Sequence, residues 1–186
     1  SARKLSKSKI QISIDSAFKN LALKNSKIDF NLTESDEFNK NGINNIEVLY
    51  RPSEQSSPKL LSKIASGGEK SRILFALKSI LSKKIDLPTL VFDEIDSGTS
   101  GEIANAIGKM MKIMGKKIQI IAITHLPQVA SLADYHYKVF KIEGEKNIST
   151  NIKKLDKSNR IKEIASMISG ENITESAINQ AQELLK

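Results

Sequence analysis

Cysteine is absent from this chain of 186 residues. Without thiols the chain can form neither a disulfide nor a thiolate metal site, which agrees with a cytoplasmic protein. No apolar run is long enough to span a bilayer, and no secretory pattern is visible near the start of the sequence. We therefore expect a cytoplasmic protein without a membrane partner.

Arginine is also scarce, since only four of the 29 basic residues are arginine. The net charge of +8 has two interpretations. It favours an electrostatic surface for nucleic acid, or it reflects a lysine-rich composition with no such role. Because arginine binds phosphate better than lysine does, its scarcity leaves direct DNA contact by this segment open.

The hydrophobic periodicity predicts an α/β fold. Helical spacing of apolar residues predicts a helix over residues 1 to about 25, and two alternating runs, "KIDFNLTE" and "NIEVLYR", predict half-buried strands. Two continuous apolar runs, "TLVF" and "IQIIAI", alternate with helices and predict parallel strands covered on both sides. A hairpin across Gly144 and two short helices near 158–169 and 174–185 complete the expected order.

Two acidic residues, Asp93 and Glu94, end the first continuous apolar strand. Open α/β sheets bind ligands at the carboxyl ends of their strands. Asp93 is suited to hold Mg²⁺, because that cation prefers oxygen ligands, and Glu94 could polarise a water. The alternative is that the pair only ends a strand at a solvated turn.

His125 ends the second apolar strand, in "IAITHLPQ". It could contact a terminal phosphate or an attacking water. A partly buried histidine bonded to a neighbouring carbonyl is the alternative.

Two adjacent glycines, Gly67 and Gly68, follow Ser66 and precede Glu69 at the expected start of a helix. A helix N-terminus has unpaired N–H groups that attract an anion, and glycine lets that anion approach the backbone. Ser66 can cap the helix and also donate its hydroxyl. A tight turn with a serine cap would explain one glycine more readily than two.

The order of these elements is more specific than any one of them. "ASGGEKSR" resembles the signature loop of ABC-type ATPases, "TLVFDE" the Walker B strand, "IDSGTSG" the D-loop and "ITH" the switch histidine. Within that class, "THLPQVA" and the C-terminal sequence resemble the RecN family of bacterial DNA-repair proteins, which is related to the SMC family. The resemblance covers roughly residues 28–186.

This resemblance implies the C-terminal lobe of an ABC/SMC-type P-loop NTPase head over residues 27–186. Residues 1–26 would then be the distal end of a coiled-coil helix. It further implies that Asp93 supports Mg²⁺, that Glu94 is the catalytic base and that His125 contacts the γ-phosphate of ATP. Ser66, Gly67, Gly68 and Glu69 would bind a nucleotide held by a second head, and Asp96 in the D-loop would help to align the two heads.

A P-loop, G-x-x-x-x-G-K-[ST], is missing from the sequence. The nearest candidate, "MGKKIQ", has the wrong glycine spacing and carries Lys117 where serine or threonine belongs. We therefore expect an N-terminal P-loop lobe as a partner, a homodimer of heads, and no ATP hydrolysis by this chain alone. The family also implies DNA as a partner of the full protein and a nucleoid-associated location.

Two other functions stay open at this point. The chain could belong to another ABC-class motor, although no feature for coupling to a membrane partner is identifiable. It could instead be a non-catalytic DNA-binding or assembly module whose ATPase residues are relics.

Overall fold

The computed structural model describes residues 2–40, 42–64, 67–82, 84–95, 98–99, 101–143 and 148–186. The chain folds as two compact units. The first unit comprises Ser1–Pro88 and Ile95–Thr99, and the second comprises Thr89–Glu94 and Ser100–Lys186. In the part of the chain that is described, no helix is both long enough and apolar enough to cross a bilayer.

The first unit is a three-stranded antiparallel sheet with two helices. Its elements are α1 (Ala2–Asn20), β1 (Lys27–Asn39), β2 (Gly42–Arg51), β3 (Lys59–Leu60), a 3₁₀ turn (Leu61–Lys63) and α2 (Gly67–Leu81). The sheet order is β1-β2-β3, and Ile28 lies opposite Tyr50 in the β1–β2 register. Both predicted strands are confirmed.

Helix α1 contacts both β1 and α2. Ile14, Phe18 and Leu21 are almost fully buried, as the apolar spacing predicts, whereas Ile10 on the same face is exposed. The helix ends at Asn20, about five residues earlier than predicted. It ends there because Ala22 takes a left-handed backbone conformation, with φ of 54°, and the N–H of Leu23 bonds back to the carbonyl of Phe18.

A buried hydroxyl pair joins the start of β1 to the end of β2. The Ser26 Oγ lies 3.0 Å from the Tyr50 hydroxyl and donates to the carbonyl of Pro52 at 3.1 Å. Because Ser26 has one proton and the carbonyl can only accept, the Tyr50 hydroxyl donates to Ser26. Burial raises the pKa of Tyr50, so its hydroxyl keeps this proton.

The second unit alternates strands and helices before it ends in a helical pair. Its elements are β4 (Thr89–Asp93), α3 (Gly101–Gly115), β5 (Gln119–Ile123), α4 (Pro127–Ala130), β6 (Tyr137–Glu143), β7 (Ile148–Lys154), α5 (Lys157–Ser169) and α6 (Glu175–Leu184). Strands β4 and β5 pair in parallel, and β6 and β7 pair antiparallel. These pairings confirm the predicted parallel strands and hairpin, although Gly144 itself lies outside the described residues.

The core of the second unit has two parts. Helix α3 buries Ala104, Ile107, Met111 and Met114, which agrees with the helical apolar pattern of the sequence. Helices α5 and α6 form a small-residue cluster with the end of α4. Its buried members are Ala130, Ile164, Ala165, Ala177 and Ala181.

One face of the β4–β5 sheet is covered and the other is open. Phe92 is 1% exposed, whereas Val91, Ile121 and Ile123, on the opposite face, are 51%, 45% and 54% exposed. The sequence predicted cover on both sides, and for this face the prediction is wrong within the described residues. The apolar strands are of the kind that is buried on both faces, but a sequence pattern does not say which chain supplies the cover.

We expect Ser26→Ala to lower the free energy of unfolding by about 1–3 kcal/mol, because it leaves the Tyr50 hydroxyl and the Pro52 carbonyl without their shared partner. Tyr50→Phe should cost less, about 1 kcal/mol, since Ser26 can still donate to Pro52. Chemical denaturation measures both. Ser16→Ala, an exposed serine on α1, is the control. Equal losses in the three variants would contradict the direction of these two hydrogen bonds.

His136 makes stability depend on pH. Burial lowers the pKa of His136, Arg160 and Lys138 act in the same direction, and Glu163 opposes them. The unfolded chain takes up a proton on this imidazole below about pH 6.5, and the folded chain resists it, so the free energy of unfolding should fall as the pH drops below that value. His136→Gln should melt with a weaker dependence on pH between about 7.5 and 5.5. An unchanged pH dependence would contradict the prediction.

Candidate functional site

Parallel pairing of β4 and β5 places the acidic pair and the histidine at one edge of the sheet. Asp93 is the register partner of Ile123, so the two strands end side by side. Beyond that pair, the N–H of Glu94 donates to the carbonyl of Ile123 at 3.0 Å and continues the ladder. His125 follows two residues after Ile123, and the side chains of Asp93, Glu94 and His125 are all exposed at this edge.

Glu94 has a backbone conformation that is uncommon for a residue with a side chain. Its φ is 44°, in the left-handed region, where a Cβ costs energy. Its N–H is fixed by the bond to Ile123, so the turn that aims this carboxylate is set by the sheet itself. Strained residues of this kind cluster at functional sites.

Asp93 is the metal ligand that the sequence proposes. In the described ranges no group of three or more histidine, cysteine, aspartate or glutamate side chains could enclose a metal ion. An exposed single carboxylate nevertheless fits Mg²⁺ of the kind that retains waters and is otherwise held by substrate phosphates. The Asp93 carboxylate therefore fits a metal whose other ligands are waters or substrate oxygens better than a metal enclosed by protein side chains.

His125 lies in the short connection between the end of β5 at Ile123 and the start of α4 at Pro127. The hydroxyl of Thr124 accepts a hydrogen bond from the N–H of Leu126 at 2.9 Å, which turns the chain just after the strand. Pro127 begins α4 immediately afterwards, where a missing N–H costs nothing. The histidine is thus presented by a compact turn between two hydrogen-bonded elements.

The glycine pair begins α2, as predicted. Gly67 and Gly68 form its first turn with Glu69, whose negative charge suits a helix N-terminus. A Cβ placed on Gly67 would meet no atom within 4 Å, so packing within the described chain does not require glycine there. Ser66 and Asp96, the other two predicted site residues, lie outside the described residues.

The structure therefore brings together part of the predicted site. Asp93, Glu94 and His125 share one sheet edge in the second unit, and the glycine turn belongs to the first unit. The roles assigned to these residues stay predictions.

Two residues that contact α4 or the turn after it were not predicted from the sequence. Arg160 on α5 bonds to the backbone after α4, and Gly108 on α3 lies against α4. No sequence signal was available for the first, because its partners are backbone carbonyls of a distant segment. None was available for the second either, because a close approach of two helices is set by the fold.

Comparison with known proteins identifies the family. The chain is 41% identical over 167 residues to the DNA repair protein RecN of Rickettsia bellii, which covers 90% of this chain and 30% of that protein. It is 34% identical over 185 residues to RecN of Haemophilus influenzae, covering 99% of this chain and 33% of that protein. The chain belongs to the RecN family. It spans about a third of the length of these RecN proteins.

RecN of Bacillus subtilis shows the same relation, with 39% identity over 150 residues, 81% of this chain and 26% of that protein. No protein-family model matches the chain.

Solved structures support the same fold. The Smc head domain with a coiled coil and joint from Pyrococcus yayanosii matches with a TM-score of 0.69 and 19% identity, over 92% of this chain and 30% of that one. A chain from a study of ATP-driven dimerization and DNA-stimulated activation of SMC ATPases matches with a TM-score of 0.59 and 19% identity, over 91% of this chain and 96% of that one. At these identities the likeness establishes the fold alone, so this RecN-family segment has the fold of the C-terminal portion of an SMC head.

We expect Glu94→Gly to raise the free energy of unfolding by about 1 kcal/mol relative to Glu94→Gln, because glycine accepts the left-handed backbone and glutamine does not. Both variants lose the carboxylate, so the comparison isolates the backbone. Thermal unfolding of the two proteins measures it. A Glu94→Gly variant less stable than Glu94→Gln would contradict the inference that the backbone at position 94 is strained.

Proposed function

We propose that this chain is the C-terminal lobe of the ATP-hydrolysing head of a RecN-type DNA double-strand-break repair protein. The observation that carries the proposal is the shared edge of β4 and β5. There a carboxylate pair and a histidine follow neighbouring parallel strands, with Glu94 held in a left-handed turn. Carboxyl ends of parallel strands are where α/β sheets bind ligands.

In this proposal each residue at the edge has one role. Glu94 accepts the proton of the water that attacks the γ-phosphate of ATP, and its fixed backbone aims the carboxylate. His125 donates a hydrogen bond to the same phosphate. Asp93 holds the Mg²⁺ that arrives with ATP, and that ion would neutralise the charge of the phosphates.

The glycine turn of α2 serves the nucleotide of a second head. Ser66, Gly67 and Gly68 would present N–H groups and a hydroxyl to its γ-phosphate, with Glu69 beside them. The empty space around a Cβ at Gly67 supports this role, since the approach is open from outside the chain. Asp96 would help to align the two heads.

A P-loop lobe is the partner that the second unit requires in this proposal. The open sheet face exposes the apolar side chains of Val91, Ile121 and Ile123, and the strands of β4–β5 and β6–β7 form separate two-stranded sheets in the described chain. Sheets this small are stabilised by further strands or by a covering element. The P-loop lobe would supply that cover along with the phosphate-binding lysine.

Helix α1 would be the end of the coiled-coil arm. Leu5 and Ile12, seven residues apart, are 70% and 71% exposed, and apolar residues at that spacing lie on one side of a helix. A second helix could cover them. DNA would be bound by the full protein on the nucleoid, in keeping with the repair function in the names of its relatives.

We expect the chain alone to show no Mg²⁺-dependent ATP turnover, and the chain assembled with its P-loop lobe to show it. Glu94→Gln in that assembly should lower kcat by about 10²–10⁴-fold, because the base is lost. Phosphate release at saturating ATP measures this. Glu171→Gln, another exposed carboxylate in the second unit, is the matched control. Turnover that survives Glu94→Gln would contradict the proposal.

A mixing experiment tests the shared site. Gly67→Val should inactivate the head by blocking the approach of the nucleotide, and a Cβ at this position meets no atom within 4 Å in the described chain. When inactive Gly67→Val heads are mixed with inactive Glu94→Gln heads, activity should reappear, since each mixed dimer contains one site with an intact glycine turn and an intact base. Gly115→Val is the control, because its Cβ also meets open space. A mixture as inactive as its components would contradict a site shared between heads.

A further inference from the structure

The segment that follows His125 is a short helix and a turn. Helix α4 is four residues long, from Pro127 to Ala130. The chain then turns, and the N–H groups of Leu132 and Ala133 bond to the carbonyls of Val129 and Ala130. Among the described residues, the carbonyls of Ser131 and Ala133 accept no backbone hydrogen bond. Ala130 and Ser131 are nevertheless 6% and 8% exposed, and buried carbonyls need donors.

Arg160 supplies those donors from α5. Its Nη2 lies 3.2 Å from the carbonyl oxygen of Ala130, 2.9 Å from that of Ser131 and 2.5 Å from that of Ala133. One guanidinium nitrogen therefore lies within hydrogen-bond distance of three carbonyl oxygens, at the end of α4 and in the turn that follows it. A positive charge at the end of a helix also suits its dipole.

Gly108 on α3 lies against the same segment. A Cβ on Gly108 would lie 2.8 Å from the Leu132 Cδ1, 3.3 Å from the Gln128 carbonyl oxygen and 3.4 Å from the Val129 Cα. Helix α3 thus approaches α4 closely, because a Cβ at this position would require the Leu132 side chain to move and the α4 backbone to shift by a few tenths of an ångström. Between Arg160 and Gly108, the segment has little room to shift.

We propose that Arg160 is a positioning residue for His125. It holds α4 and the turn after it, and His125 lies two residues before α4 begins. The inference rests on the proposed function, because it concerns the contact of His125 with the γ-phosphate. A displacement of about 1 Å at a reacting group can cost up to about a hundredfold in rate, so a donor that fixes this turn contributes to turnover.

Helix α5 has its own supports, which separates positioning from folding. Its N-terminus is capped by Asp156, whose carboxylate accepts from the N–H of Asn159 at 2.8 Å, and the same bond lowers the pKa of Asp156. Its apolar side is buried through Ile164 and Ala165 against α6. Loss of the Arg160 side chain should therefore loosen the turn after α4 more than α5 itself.

Lysine is a poor replacement for this arginine. All three bonds come from Nη2, which lies one bond farther from the backbone than the ammonium of lysine, and the ammonium is also the more strongly hydrated cation. Arg160→Lys keeps the charge and can reach fewer of the three carbonyls. Arg160→Gln removes the charge and keeps an amide donor.

The test uses the chain assembled with its P-loop lobe and follows ATP turnover. We expect Arg160→Gln to lower kcat by about tenfold while KM for ATP changes by less than about twofold, and Arg160→Lys to recover part of the loss. Lys162→Gln, an exposed cation on the same helix, is the matched control and should leave both values unchanged. A kcat equal to that of the unsubstituted head would overturn the inference.

Amide hydrogen exchange separates positioning from general destabilisation. In Arg160→Gln, exchange should accelerate by about tenfold or more across residues 125–133 and stay unchanged across 161–169. Equal acceleration in both segments would show a structural role only and would overturn the inference. The proposed function is tested independently, since its failure appears as turnover that survives Glu94→Gln, whatever Arg160 does.

Discussion

The parallel register between β4 and β5 is the constraint on which the rest of the second unit depends. Because Asp93 pairs with Ile123, the chain leaves both strands at the same level. A shift of one residue in this pairing would turn every side chain of one strand to the other face of the sheet. The hydrogen bond from the Glu94 N–H to the Ile123 carbonyl extends the ladder by one residue beyond β4. The strand register therefore also fixes the backbone position of Glu94.

Much of the fold could be predicted because its signals are local. Apolar alternation identified β1 and β2, continuous apolar runs identified β4 and β5, and a glycine pair marked the start of α2. The end of α1 was missed because Ala22 adopts a left-handed conformation for which glycine is the usual signal. The open face of the β4–β5 sheet was missed because burial depends on neighbours that a periodic pattern does not identify.

In the candidate site, too, the residues with a local sequence signal could be predicted and those without one could not. Residue type and position at strand ends were enough to nominate Asp93, Glu94 and His125, since the chemistry of phosphate transfer uses such groups. The role of Arg160 was not accessible, because its partners are backbone carbonyls 27–30 residues away, which any sequence would provide. Contacts of a side chain with a distant backbone leave no pattern in the residues that are contacted.

The close approach at Gly108 has a consequence for motion. Where α3 meets α4 there is no Cβ between the backbones and hence no side-chain rotamer at position 108 to rearrange. A segment seated in this way follows the helix that it touches, and it does not sample positions as a free loop does on the nanosecond time scale. We therefore expect His125 to move with α3 as one body, over roughly microseconds to milliseconds, the range of collective motions.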